Sequence, residues 1–314
     1  MDDALLVLLL TAAACAPLGV FLILRRLSMM ADAISHTVLL GIVLAFFVTH
    51  DLGSPWLLFG AALMGVITVS LVELLGKTSL VKYDDAIGVI FPLLFALAVI
   101  LISKYAGNAH LDTDMVLMGE VIYAGLNTVE IGGVEIPAAA LKMGGLALLI
   151  AAFITLFYKE LKVSTFDGEY ARLIGVPTGI LFYTFMSLTS LTTVAAFDAV
   201  GAILVISFFI APGATALLFT KHLSHTLLLA LLVSMVNSAL GYALAVHMNA
   251  SIAGLCAVMN MLVYLLALLM GPKGAVTAYI RRWQSVRQMQ RDLFLLHIGR
   301  HTAEHAESAE NHRD

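Results

Sequence analysis

The chain has 314 residues, of which 61% are hydrophobic and only 12% are charged, and its formal net charge is −4. Soluble domains carry about 25% charged residues, so this composition excludes an ordinary soluble protein and predicts a protein that crosses the lipid bilayer several times. Both cysteines, Cys15 and Cys256, lie in apolar runs, and no disulfide framework is therefore expected.

Apolar runs long enough to cross a membrane, which takes about 20 residues, recur along most of the chain. They are residues 4–24, 33–49, 55–75, 84–103, 143–160, 177–196, 200–220, 224–246 and 251–270. Asp198 interrupts the apolar sequence between the sixth and seventh runs, so a single broken helix is the alternative there. We predict an all-α polytopic membrane protein with eight or nine transmembrane helices, formed by residues 1–271, and a cytoplasmic helical tail at 272–314.

The positions of the basic residues predict the orientation. With the N-terminus outside, all but two of the 17 Lys and Arg residues fall on the inner side, and the two exceptions are Lys104 and Lys142. Inner loops of membrane proteins are enriched in Lys and Arg. The sequence therefore predicts an N-terminus outside and a C-terminus inside.

Side chains that can bind metals lie near the outer ends of three predicted spans. Asp198 lies between two apolar runs, His247 ends the eighth span, and His50 and Asp51 end the second. An acidic group at membrane depth is costly and is by default a functional candidate. Imidazole and carboxylate ligands suit a divalent first-row cation, and manganese is preferred to zinc because the cysteines lie elsewhere. These four residues are candidate metal ligands, although each alone also fits an ordinary interfacial residue.

Asp32 and His36 form a second candidate pair at the inner end of the second span. They are four residues apart and therefore share one face of a helix. They fit a position on a metal pathway, and they fit equally a capping Asp beside an interfacial His, so both interpretations remain open.

A polar segment, STFDGEYARLIGVPTG at 164–179, separates the fifth and sixth spans and is predicted to lie inside. It is long enough for about three helical turns before its Gly-Val-Pro stop, and Leu173 and Ile174 add to its apolar face. Apolar side chains with a charged rim are typical of a protein-docking surface. The candidate docking residues are Phe166, Asp167, Glu169, Tyr170, Arg172 and Gly175.

The sequence Gly-Lys-Thr-Ser at 76–79 ends like a phosphate-binding loop. That loop requires a glycine five positions before the Gly-Lys pair, where this chain has Leu71. The chain itself is therefore not expected to bind ATP.

Three stretches resemble, in chain order, the signature stretches of the bacterial ABC permeases for manganese, zinc and iron. They are RRLSMMADAISHTVLLGIVLA (25–45), STFDGEYARLIGVP (164–177) and DAVGAILVISFFIAPGATA (198–216). The sequence NASIAG (249–254) also fits, although Asn249 replaces an Asp that many relatives carry. The sequence around Asp198 is most similar to the manganese-type members.

The resemblance implies the membrane subunit of an ATP-binding-cassette importer in the bacterial inner membrane, and not an enzyme. The expected cargo is manganese, with zinc and iron as alternatives, and no permanently bound cofactor or nucleic-acid partner is expected. The implied partners are a second permease subunit in a homodimer or heterodimer, cytoplasmic ATPase subunits and an extracytoplasmic metal-binding protein. Residues 164–176 would form the coupling helix that docks on the ATPase.

Two other functions are compatible with parts of the sequence. A proton-coupled secondary metal carrier would use Asp198 and the histidines as a proton relay, but it leaves residues 164–176 without a role. An ABC permease for a metal chelate would need a wide aromatic-lined cavity, and only 9% of the residues are aromatic.

Overall fold

The computed structural model describes residues 3–50, 54–78, 81–105, 128–131 and 134–271, together with positions 277, 283, 285 and 287–289. The helices within these residues are α1 (Asp3–Leu24), α2 (Ser28–Thr49), α3 (Pro55–Lys77), α4 (Tyr83–Tyr105), α5 (Ala138–Leu156), α6 (Tyr158–Phe166), α7 (Gly168–Leu173), α8 (Thr178–Val200), α9 (Ala202–Phe219), α10 (Leu223–Met248) and α11 (Ile252–Met270). Strands β1 (Thr128–Ile131) and β2 (Val134–Pro137) form an antiparallel hairpin in which Thr128 is opposite Pro137.

Nine of the described helices are long and apolar enough to cross a membrane, as the sequence predicts. The uncertain boundary near Asp198 is resolved into two helices, because α8 ends at Val200 and α9 begins at Ala202. Gly201 joins them with φ 85° and ψ 156°, a combination that is essentially restricted to glycine. The chain therefore turns there and does not continue as one broken helix.

Helix α1 is the central helix of the bundle. It packs against α5, α8, α9 and α10, and 67% of its most apolar stretch is buried, compared with 22% for α4. The exposed apolar side chains of α4, such as Leu93 and Ile100, suit contact with lipid. The core therefore forms around α1, and α4 lies at the periphery.

Small residues bring α2, α3 and α8 close together. A Cβ atom on Gly41 of α2 would collide with the backbone of Gly60 on α3. The hydroxyl of Ser190 on α8 donates to the Ala62 carbonyl at 3.1 Å, beside Gly65. Close packing through small residues is usual between helices in lipid, and it fixes α8 against α3.

The chain divides into two compact units, residues 1–264 and 265–314. In the second unit, the hydroxyl of Thr277 donates to the Gly271 carbonyl at 2.8 Å, and the guanidinium of Arg287 lies 3.6 Å from the ring centre of Trp283. Most of the predicted cytoplasmic tail, 272–314, falls outside the described residues, so its helical character stays a prediction.

Candidate docking helix and metal pathway

Residues 167–176 form the short helix α7 and its two caps. Asp167 separates α6 from α7 with an extended backbone, and its carboxylate accepts from the Tyr170 N–H at 2.9 Å, as an N-cap residue does. At the other end, the Val176 N–H donates to the Ala171 carbonyl at 3.0 Å. Gly175 supplies the positive φ, 85°, that this type of C-terminal cap requires. Asp167 and Gly175 therefore define the two ends of α7.

Large apolar side chains are exposed on and beside α7. Leu173 is 85% exposed, whereas Ala171 on the opposite face is fully buried. Three more apolar side chains of this segment are more than half exposed: Phe166, Tyr170 and Ile174. Glu169 is also exposed. The segment thus presents the apolar surface with charged neighbours that its sequence predicts.

Arg172 points in part towards the bundle and not only outwards. Its Nε donates to the hydroxyl of Thr178 at the start of α8, at 3.2 Å. Its charge also acts on the carboxylate of Glu73 on α3, which forms an ion pair with Lys77 at 2.6 Å. Arg172 is therefore a contact between α7 and the neighbouring helices as well as a rim residue.

Arg25, immediately after α1, lies beside the same segment. Its Nε donates to the Thr165 hydroxyl at 3.1 Å, and an NH2 group donates to the Ser164 hydroxyl at 2.9 Å. Burial lowers the pKa of the Arg25 guanidinium to about 10, so the group remains charged at neutral pH. We call the end of the bundle that carries Arg25, α6 and α7 the α7 end.

Asp198 lies in the last turn of α8, two residues before the helix ends, with its side chain 69% exposed. Its carboxylate is 3.4 Å from the ammonium of Lys142 on α5. The sequence shows Asp198 as an acid between apolar runs, and the structure adds that it has a cationic neighbour. We call this end of the bundle, marked by Asp198 and Lys142, the Asp198 end.

The two other described candidate ligands lie at helix termini. His50 follows the last residue of α2 in the left-handed conformation, φ 52°, and His247 is in the last turn of α10; both are exposed. Asp51 lies outside the described residues. Among the residues that the structure describes, no three His, Cys, Asp or Glu side chains gather into a group that could hold a metal ion. Asp198, His50 and His247 therefore do not form a three-ligand site in this conformation.

Asp32 and His36 are the predicted pair that the structure does bring together. The Nε2 of His36 is 3.6 Å from a carboxylate oxygen of Asp32, and the side chains are 34% and 35% exposed. The imidazole also lies 5.5 Å from the ring centre of Phe91 and 5.6 Å from that of Phe95, both on α4. His36 is eight residues into α2, or about 12 Å at 1.5 Å per residue. A carboxylate and an imidazole thus share one face of α2, a candidate membrane span, where ionisable groups are unusual.

Two polar contacts inside the bundle could not be predicted from the sequence. The Asn237 side chain of α10 donates to the Asn260 side-chain carbonyl of α11 at 2.9 Å, and both residues are buried. Arg25 and Ser164 are separated by 139 positions, so no local pattern predicts their contact. Lys142 could have been identified from the sequence as a residue of interest, because it is one of the two basic residues on the predicted outer side.

Known proteins resemble the chain over most of its length. The ABC 3 transport family matches residues 1–271. The chain is 42% identical to the zinc transport system membrane protein TroD of Treponema pallidum, over 98% of this chain and 83% of the relative. It is 43% identical to the manganese transport system membrane protein MntD of Bacillus subtilis, over 87% of this chain and 92% of the relative.

A solved structure has the same fold. A chain of PsaBC from Streptococcus pneumoniae, in complex with Fab, superposes with a TM-score of 0.71 at 28% identity, covering 87% of this chain and 92% of that chain. The zinc-named and manganese-named relatives are almost equally similar, so identity does not separate the two metals. The predicted family is confirmed. The chain belongs to the ABC 3 transport family and is a multi-pass membrane permease subunit, not an enzyme.

Proposed function

We propose that this chain is the permease subunit of an ATP-driven importer of divalent metal cations, with manganese as its cargo. The supporting observation is α7, a capped helix outside the candidate spans whose apolar side chains remain exposed. A lipid-facing helix would be long and apolar throughout, whereas α7 has six residues that include Glu169 and Arg172. A protein surface is the suitable cover for such a face, and in an ABC system that protein is the ATPase.

The proposed orientation has the N-terminus outside and the C-terminus inside. Nine candidate spans lie among the residues that the structure describes, and this odd number agrees with termini on opposite sides. The contact of Arg25 with α6 and the contact of Lys142 with Asp198 support two distinct ends of the bundle. The α7 end is then cytoplasmic, and the Asp198 end is the outer mouth.

In the proposed transport cycle, the cation enters at the Asp198 end and meets ligands in succession. Asp198, Asp51, His50 and His247 provide the first oxygen and nitrogen ligands. Asp32 and His36 provide the next pair, closer to the α7 end. A permease must release its ion as well as bind it, so sequential and incomplete coordination is suitable.

The ligand types support manganese. Carboxylate and imidazole donors suit manganese, ferrous iron and zinc, while thiolates would favour zinc. Both cysteines are buried in helix contacts, Cys15 within α1 and Cys256 against Ser238 of α10. Neither thiol therefore competes for the cation on the proposed route.

The proposed complex contains two permease subunits, identical or different, two ATPase subunits on the cytoplasmic side and an extracytoplasmic metal-binding protein. The family membership supports a multi-subunit system. ATP binding and hydrolysis in the ATPase subunits move α7, and the bundle alternates between outward and inward access.

The substitution Leu173→Glu tests the docking role of α7. Leu173 is the most exposed apolar residue of the segment, so the change leaves the fold intact but introduces a charge into the proposed interface, which is costly without a partner. We expect the ATPase to be lost from the purified complex and ATP-driven uptake to fall with it. Val129→Glu on β1, which also places a single negative charge at an exposed apolar position, is the charge-matched control. Full ATPase binding and uptake by Leu173→Glu would contradict the proposal.

A further inference from the structure

Arg25 lies where three helices meet: the end of α1, the end of α6 and the first half of α8. Its guanidinium donates to Thr165 and Ser164 of α6 at 3.1 and 2.9 Å. The same group lies 5.4 Å from the ring centre of Phe185 on α8. We call these four residues, Arg25, Ser164, Thr165 and Phe185, the Arg25 junction.

The hydrogen bonds of the junction are mutually consistent. The hydroxyls of Ser164 and Thr165 both donate to the Leu161 carbonyl, at 3.2 and 2.6 Å, so their oxygen lone pairs are free to accept from Arg25. Leu161 is fully buried. A planar guanidinium can make two directed bonds and a ring contact at once, which a lysine ammonium cannot reproduce. The residue type therefore matches the geometry.

The ring side of the junction extends into the bundle core. Phe185 is fully buried and contacts Phe21 of α1 edge-to-face, with ring centres 6.0 Å apart. Phe185 is also 13 residues before Asp198 on the same helix, or about 20 Å along its axis. A displacement of α8 at Phe185 would therefore reach the proposed outer mouth through one continuous helix.

The covalent route from α7 to α8 is a second connection, and the hydrogen bond from Arg172 to Thr178 spans it at 3.2 Å. It runs through the turn at Ile174–Pro177, in which Gly175 has a positive φ and no atom within 4 Å of the position a Cβ would occupy. At the N-terminal end of α7, only Asp167 separates it from α6. The Arg25 junction thus links the docking segment to α1 and α8 without passing through the Gly175 turn.

We propose that Arg25 is a positioning residue that transmits the movement of α7 to α1 and α8, so that ATP hydrolysis by the partner is coupled to opening of the metal route. This proposal rests on the proposed function, because it assumes that α7 docks on an ATPase. Beyond the docking of α7, the Arg25 junction is the contact through which the movement of α7 reaches the bundle.

The test compares Arg25→Gln with Arg26→Gln in the reconstituted complex of permease, ATPase and metal-binding protein. Arg26 is the adjacent arginine and is exposed, so it controls for the loss of one positive charge. We expect Arg25→Gln to retain ATPase binding and basal ATP hydrolysis but to lower manganese uptake per ATP at least about tenfold, the factor for one charged hydrogen bond. Arg26→Gln should behave as wild type. Arg25→Lys should recover little, because it keeps the charge but not the paired bonds.

Removing the acceptors gives an independent measurement if Arg25→Gln does not fold. The double change Ser164→Ala with Thr165→Val should also lower uptake per ATP, and combining it with Arg25→Gln should add no further loss. Normal coupling in Arg25→Gln, full recovery by Arg25→Lys, or additive losses would overturn the proposal. A parallel fall in assembly, thermal stability and uptake in the Ser164→Ala, Thr165→Val variant would also overturn it, since that is the result of a purely structural role. These outcomes are distinct from a failure of Leu173→Glu to release the ATPase, which would overturn the docking role itself.

Discussion

The α7 end and the Asp198 end of the bundle differ in how firmly their polar groups are held. At the α7 end, Arg25 bonds two hydroxyls of α6, and Arg172 bonds the first residue of α8. At the Asp198 end, the carboxylate has one exposed ion pair with Lys142, and His247 is exposed. The two ends suit different tasks. Fixed geometry at the α7 end suits the transmission of force, and side chains that can rearrange at the Asp198 end suit uptake and release of an ion.

The largest expected effect comes from removing the carboxylate charge at the Asp198 end. We expect Asp198→Asn to lower manganese uptake more than about 100-fold. The proposed role of Asp198 is that of a direct ligand, and such a ligand matters at least as much as the outer-shell residues whose loss costs about 10–100-fold. ATPase binding should remain intact, since α7 is unchanged. Radiolabelled uptake and co-purification measure the two properties, with Glu130→Gln in the exposed β1 strand as the control. Wild-type uptake by Asp198→Asn would remove this residue from the route.

A smaller effect is expected from straining the α7 end. Gly175→Ala places a side chain at φ 85°, a conformation that costs about 1–2 kcal/mol for an L-residue. The midpoint of thermal unfolding of the purified permease should fall by roughly 2 °C, and coupling of ATP hydrolysis to uptake should weaken. Gly168→Ala is the matched control, because Gly168 also has open space around it but no positive φ. Equal unfolding midpoints and equal coupling in the two variants would show that the turn does not require a glycine at position 175.

The smallest effect is expected from Lys142→Ala. The Lys142–Asp198 ion pair is exposed on both sides, and such pairs contribute at most about 1 kcal/mol. Removing the ammonium frees the Asp198 carboxylate, so the KM for manganese should fall by no more than about fivefold. Uptake rates over a range of manganese concentrations measure this, with Lys104→Ala on α4 for comparison. A rise in KM would indicate that Lys142 orients Asp198 for the cation and does not compete with it.

The spans and α7 could be predicted because their causes are local. Long apolar runs identify the helices, and the Asp167–Gly175 segment carries its own cap residues. The turn at Gly201 could not be predicted, because hydropathy does not report a φ of 85°. The family could be predicted from short ordered stretches and is confirmed by the match to residues 1–271.

Less of the candidate site than of the fold could be predicted from the sequence. A shared depth suggested that Asp198, His50 and His247 act together, but depth along a helix does not determine which helices are neighbours. Asp32 and His36 were predictable as a pair because four-residue spacing on a helix ensures proximity. The Arg25 junction joins residues far apart in the chain, and only the packed bundle shows it.

The central claim is that ATP hydrolysis at the α7 end drives manganese through a route that begins at Asp198. The most direct measurement is uptake of radiolabelled manganese into proteoliposomes holding the permease and ATPase, with the metal-binding protein outside and zinc as a competitor. The proposed function predicts manganese uptake that requires ATP on the α7 side, persists when the proton gradient is collapsed and is inhibited by less than half at an equal concentration of zinc. Uptake driven by a proton gradient without ATP would contradict it.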